Sequence, residues 1–234
     1  MASNMVSVKL KDGEEMQCYV SKPERQSAPA IVIVQEIFGI TDWLKSFADG
    51  LAAKGYVAIV PDLFCRLEPN LKLDDNNEKE LQKAFKLYGE FNQNQGVEDL
   101  KDIVEFARKA DGTNGKVGVT GFCLGGLMTY FMACRSNVDC AVAYYGGGVD
   151  QHLEEAVSIK KPFIIHLAEN DQFIGKDAQE KIIAALDDDE KMNVHVYAGV
   201  DHAFCRVGGP GYFEPAAKHA NDRTDEFFAR NLQV

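Results

Sequence analysis

The sequence predicts a single α/β domain, with an eight-stranded, mostly parallel sheet that is antiparallel at its start and flanked by helices. Three observations lead there. Short β-branched runs recur along the whole chain. From the third run onward, segments with helical spacing separate them, which is the pattern of βαβ units. After the fifth run comes a glycine-rich turn, Gly121-Phe122-Cys123-Leu124-Gly125-Gly126, leading directly into a helix-like segment.

The first two runs, Val6 to Leu10 and Met16 to Val20, are joined by Lys11-Asp12-Gly13. That spacer is too short for a crossover helix, so the pair reads as an antiparallel hairpin. The later runs are Ala30 to Val34, Val57 to Val60, Val117 to Thr120, Ala141 to Tyr145, Phe163 to Leu167 and Val194 to Tyr197. Helices are expected over Trp43 to Lys54, Glu78 to Phe91, Val97 to Lys109, Leu124 to Cys134, Ala178 to Leu186 and Pro215 to Leu232. The stretch Cys65 to Asn77 holds Pro69, Asn70, Asp74, Asp75 and Asn76, and reads as a surface excursion leading into a polar helix.

At 234 residues and 46% hydrophobic content, the chain is long enough for one sizeable core and short for two domains, so 1–234 is read as one unit. A net charge of −11 and a pI near 4.9 argue against nucleic acid or an anionic membrane surface as partner, because either needs a basic face. A small anionic substrate fits only if local arginines or lysines override that field. Met1 to Met16 contains no apolar stretch of the signal-peptide kind, and no run approaches the ~20 apolar residues of a spanning helix. Cys18, Cys65, Cys123, Cys134, Cys140 and Cys205 are scattered without a CxxC pair or zinc-ligand spacing. A cytoplasmic monomer with mostly free thiols is the resulting expectation, with no metal or organic cofactor.

Cys123 stands at the apex of the glycine-rich turn, with glycines two residues before and two after it. The spacing is that of a nucleophile elbow with Cys in place of Ser, a turn too tight for bulky neighbours. The N-terminus of the following helix adds partial positive charge, which favours a thiolate. Ligand sites in such sheets gather at the carboxyl ends of the strands, so catalytic partners should follow strands. Asp171 follows the run Phe163 to Leu167, and His202 follows Val194 to Tyr197. The order nucleophile, acid, histidine is that of the hydrolases with this elbow. A cysteine nucleophile needs a nearby base, and the imidazole needs a carboxylate on its other nitrogen. Glu169 and Asp201 are the rival carboxylates.

These residues, together with Val34-Gln35-Glu36-Ile37-Phe38-Gly39, Tyr56 to Leu63, Tyr144-Tyr145-Gly146 and Asp201-His202-Ala203-Phe204, resemble the dienelactone hydrolases, also called carboxymethylenebutenolidases, over nearly the whole chain. The resemblance implies an α/β-hydrolase fold and a Cys123, His202, Asp171 triad. It implies that Glu36 holds the resting thiol until substrate binds, and that the backbone N–H groups of Leu124 and Ile37 form the oxyanion hole. It further implies substrate contacts from Arg206, Phe38 and Tyr145. A second pocket arginine is expected near Glu78 to Phe91, yet no arginine occurs between Arg66 and Arg108, and Leu81 lies in that region. Ala203 replaces the serine expected after the histidine, and Phe64 replaces a tyrosine.

The expected activity is cysteine-dependent hydrolysis of a small lactone or ester through a thioester. The alternatives are a general carboxylesterase or thioesterase on neutral acyl substrates, a non-catalytic ligand-binding relative, and a thiol redox sensor.

Overall fold

The computed structural model describes residues 2–187 and 191–233. Strands β1 (Ala2–Lys9) and β2 (Glu15–Lys22) form the antiparallel hairpin that their short spacer requires. Its turn closes on Gly13 at φ +95°, a left-handed value that glycine adopts without steric cost. Strand β2 also pairs antiparallel with β4 (Val57–Pro61). The remaining pairings join β3 (Ala28–Val34), β4, β5 (Thr113–Phe122), β6 (Cys140–Tyr144), β7 (Phe163–Ala168) and β8 (Met192–Tyr197), all parallel. The spatial order is β1-β2-β4-β3-β5-β6-β7-β8.

Parallel strands covered on both faces read as unbroken apolar runs. Every residue of β3, β4, β6 and β7 is buried. His166, inside β7, is the one basic side chain in these four strands, and it is satisfied on both sides. Its Nε2 lies 3.0 Å from Thr224 Oγ1 and its Nδ1 2.9 Å from the Tyr197 hydroxyl. Burial holds this imidazole well below its ordinary value, so it stays neutral.

The helices are α1 (Asp42–Ala53), α2 (Glu78–Glu90), α3 (Gln93–Lys109), α4 (Leu124–Arg135), α5 (Lys176–Leu186) and α6 (Glu214–Leu232). Side-chain caps start the first three. Thr41 accepts from the Leu44 N–H at 3.3 Å, Asn77 from Lys79 at 3.1 Å, and Asn92 from Gln95 at 3.1 Å. None of these helices is long and apolar enough to cross a membrane.

Two features of this frame position the site. First, the chain leaves β3 towards β4 on one side and leaves β5 towards β6 on the other. The two departing loops therefore diverge and open a crevice at the carboxyl ends of β3 and β5. Second, α4 starts hard against the sheet. A Cβ on Gly125 would stand 2.2 Å from the Val34 carbonyl oxygen, and one on Gly126 would stand 2.2 Å from that of Tyr144.

Element boundaries differ from the sequence expectation at two informative places. Strand β1 begins at Ala2 rather than Val6, because Ala2 to Met5 pair along an exposed edge where no alternating apolar signal is needed. Strand β6 ends at Tyr144, and Tyr145 leaves it at φ +37°.

Gly125→Ala should lower the free energy of unfolding by about 1–3 kcal/mol, the usual cost of overpacking, read as a fall in the urea midpoint at constant slope.

Candidate active site

The close approach of α4 fixes Cys123. Its backbone sits at φ 56°, ψ −115°, a conformation that a non-glycine residue holds only when its surroundings impose it. Its N–H donates to the Tyr144 carbonyl at 3.1 Å, while its carbonyl accepts from Gly126 at 2.9 Å and Leu127 at 3.2 Å. The thiol is thereby held at the first turn of a helix, partly exposed. The other five cysteines are buried and unpaired, and burial pushes the thiols of Cys18, Cys65 and Cys134 up to about 12.

The imidazole comes from the loop after β8 and its carboxylate from the loop after β7, which are adjacent strands. His202 Nδ1 lies 2.9 Å from Asp171 Oδ2 and 3.1 Å from Oδ1. The Asp171 side chain is wholly buried, and its Oδ1 also accepts from the N–H groups of Phe173 at 2.9 Å and Ile174 at 3.2 Å. Those two bonds lock the carboxylate in place. Asp171 does not cap α5, whose N-cap is Gly175. The rival carboxylates are engaged elsewhere: Glu169 accepts from Gly199 N–H, and Asp201 accepts from Gln172 and His202 N–H.

His202 Nε2 is buried and makes no hydrogen bond of regular geometry. Burial by itself lowers this imidazole, but the charge of a Cys123 thiolate, the hydrogen bond with Asp171 and contact with the sulfur outweigh it and raise the group to about 10. The ring is held between those of Tyr145, at 5.0 Å, and Phe173, at 4.9 Å.

Cys123 and His202 open on a cavity of about 480 Å³, whose wall also includes Leu124, Glu36, Ile37, Phe38 and Arg206. Of these, Leu124 and Ile37 are expected from the sequence at the oxyanion hole, Phe38 and Arg206 at the substrate and Glu36 on the resting thiol; Tyr145, also expected at the substrate, departs. Tyr145 is not part of the wall: it is fully buried, packed behind His202 and against Phe204 at 5.5 Å. Its left-handed backbone turns the ring inward, so it supports the imidazole rather than facing the cavity. Cys65 and Cys205 are likewise buried away from the wall.

Glu36 is 5% exposed, and its carboxylate is paired with Arg206, Oε2 to Nε 3.0 Å. Burial raises Glu36 above the ordinary carboxylate value, against the opposing pull of Arg206. So the carboxylate expected on the resting thiol is found here on a guanidinium. Arg206 stacks over Phe38 at 5.0 Å, and its Nη1 lies 2.5 Å from Asp75 Oδ2.

Helix α2 corrects a sequence expectation. It reads as polar on average, yet Leu81, Phe85 and Tyr88 recur at helical spacing and line the cavity. Its lysines face away: Lys83 pairs with Glu68 and Lys86 with Glu90. Asp75 and Phe173 are wall residues that the sequence reading passed over. The 81, 85, 88 spacing was a usable signal, whereas nothing local marked Asp75.

The dienelactone hydrolase family model matches residues 16–232. The carboxymethylenebutenolidase of Pseudomonas putida is 34% identical over 229 residues, covering 98% of this chain and 97% of that protein. Carboxymethylenebutenolidase 1 of Cupriavidus pinatubonensis is also 34% identical over 229 residues, with 98% and 97% covered. Among solved structures, one from Klebsiella pneumoniae subsp. pneumoniae MGH 78578, provisionally named a dienelactone hydrolase, superposes with a TM-score of 0.86 at 28% identity, covering 97% of this chain and 98% of that one. With the family model matched across residues 16–232 and curated relatives 34% identical over nearly the whole chain, this chain belongs to the dienelactone hydrolase family.

Proposed function

We propose that the protein hydrolyses a lactone or carboxylic ester by covalent catalysis at Cys123, with His202 and Asp171 completing the triad. One observation carries this reading. A partly exposed thiol on a helix N-terminus shares a cavity with an imidazole whose far nitrogen is fixed by a wholly buried carboxylate. Family membership and the names of the curated relatives support a hydrolase acting on a lactone.

In this reading the Cys123 thiolate attacks the carbonyl carbon, and the carbonyl electrons move onto oxygen. The N–H groups of Leu124 and Ile37, both on the cavity wall, receive that oxyanion. Collapse breaks the ester C–O bond and leaves an acyl thioester on Cys123. The leaving oxygen takes the proton from His202 Nε2, either as the bond breaks or, for an enolate, just after it departs, which returns the imidazole to its neutral form. His202 then removes a proton from water, which attacks the thioester, and the thiolate leaves as the carboxylic acid product forms. Asp171 keeps the imidazole in one tautomer and stabilises its protonated form. Glu36 holds Arg206 at the edge of the cavity.

Cys123→Ala should reduce kcat/KM for an aryl ester by about 10⁴-fold or more with the unfolding midpoint little changed, and full retained turnover overturns the assignment. Asp171→Asn should cost about 10³- to 10⁴-fold in kcat; an unaltered rate would move the acid role to another carboxylate. In His202→Ala, brief exposure to substrate should leave one acyl adduct on the protein by intact mass, mapping to Cys123 and released by hydroxylamine. The imidazole offers a spectroscopic check. Because negative charge on sulfur raises His202, its removal in Cys123→Ala should lower the pH at which the ring resonances titrate, and no shift would mean that the two groups do not interact.

A further inference from the structure

The electrostatics of the cavity wall are unusual in one respect. Its carboxylates are Glu36, Asp75 and Asp201, whereas Arg206 is its one guanidinium, and no lysine is part of it. That arginine is already occupied. Its Nε faces Glu36 at 3.0 Å and its Nη1 faces Asp75 at 2.5 Å, with only 12% of its side chain exposed. Arg206 Nε and Asp75 Oδ2 both lack hydrogen bonds of regular geometry, so the triplet is held by Coulombic attraction between partly desolvated charges. Two carboxyl groups on one guanidinium leave that cation already paired on both sides. A third carboxylate arriving on a substrate would find no free positive charge there.

Asp75 reaches this position through a specific piece of backbone. The excursion after β4 folds back so that Leu73 N–H donates to the Phe38 carbonyl at 2.9 Å and Lys72 forms an antiparallel bridge with Gly39. Gly39 lies at φ +78°, and a Cβ there would stand 1.9 Å from the Leu71 carbonyl oxygen. The excursion is thus stitched to the loop that carries Glu36 and Ile37, and Asp75 is delivered beside Arg206 by that seam.

The rest of the wall is apolar and aromatic. Phe38, Leu81, Phe85, Tyr88 and Phe173 line it. Phe85 and Phe173, each about half exposed, approach one another with ring centroids 6.4 Å apart. Such rings offer dispersion contacts and edge-to-face packing to a flat apolar group, and nothing to an anion.

We propose that Asp75 is a specificity-determining residue that occupies Arg206 in place of a substrate anion, and that the preferred substrates are uncharged esters or lactones bearing an aromatic or bulky apolar group. This rests on the hydrolytic reading of the Cys123 site. It accounts for the apolar face of α2, for the placement of Asp75 and for the absence of an unpaired cation on the wall.

The test uses two substrates with one leaving group: para-nitrophenyl phenylpropanoate, and its analogue with a para-carboxylate on the phenyl ring. The unmodified protein should favour the neutral ester in kcat/KM by about tenfold or more, because like-charge juxtaposition within a site is costly. In Asp75→Asn, and in Asp75→Ser as a second variant of different size, the ratio of anionic to neutral kcat/KM should rise about tenfold. Adding Arg206→Gln to either variant should abolish that rise, since the freed guanidinium is what captures the anion. A preference for the anionic ester in the unmodified protein, or a ratio unmoved in both Asp75 variants while turnover persists, overturns the inference and leaves the hydrolytic reading standing. Failure to hydrolyse either ester overturns both.

Discussion

The contact on which the rest depends is between two stretches of main chain. Helix α4 begins so close to the ends of β3 and β6 that side chains on Gly125 and Gly126 would collide with carbonyl oxygens of Val34 and Tyr144. Close packing at this point leaves the residue before the helix no relaxed conformation, so Cys123 is held at a positive φ and its thiol is presented over the sheet. The same approach sets the spacing between the elbow and the loop after β3, and so the distance between the sulfur and the Ile37 backbone. A helix seated even one ångström further out would relax the turn and separate these groups. Tight packing converts a local glycine pattern into a chemical geometry.

Around that point the protein keeps its charges in compensated sets. Asp171 is wholly buried, yet two backbone N–H groups and the imidazole satisfy it, so its charge costs little. Arg206 is flanked by Glu36 and Asp75 on a stacked phenyl ring. Buried charge of this kind contributes more to defining what the cavity accepts than to net stability, because desolvation offsets much of the attraction.

Much of this was legible in the sequence, for identifiable reasons. Strands in a buried parallel sheet are continuous apolar runs, and the rule that chemistry gathers at their carboxyl ends singles out Asp171 and His202 among the polar loop residues. In the structure His202 meets Asp171 at 2.9 Å, and Cys123 and His202 line one cavity. What could not be read depended on side-chain direction and loop path. Tyr145 was expected at the substrate, but its single left-handed backbone step turns it behind the imidazole. Helix α2 is polar on average, while the part of it that reaches the cavity is one stripe of Leu81, Phe85 and Tyr88. Asp75 sits in a polar excursion whose seam to Gly39 exists only in three dimensions.

The distribution of sulfur has a practical consequence. Cys18, Cys65, Cys134, Cys140 and Cys205 are shut inside the protein and their thiols are pushed up by burial, whereas Cys123 opens on the cavity. An alkylating reagent in excess over the native protein therefore encounters one accessible sulfur per chain. Its stoichiometry counts folded molecules in a preparation directly, and unfolding the chain would raise that count to six.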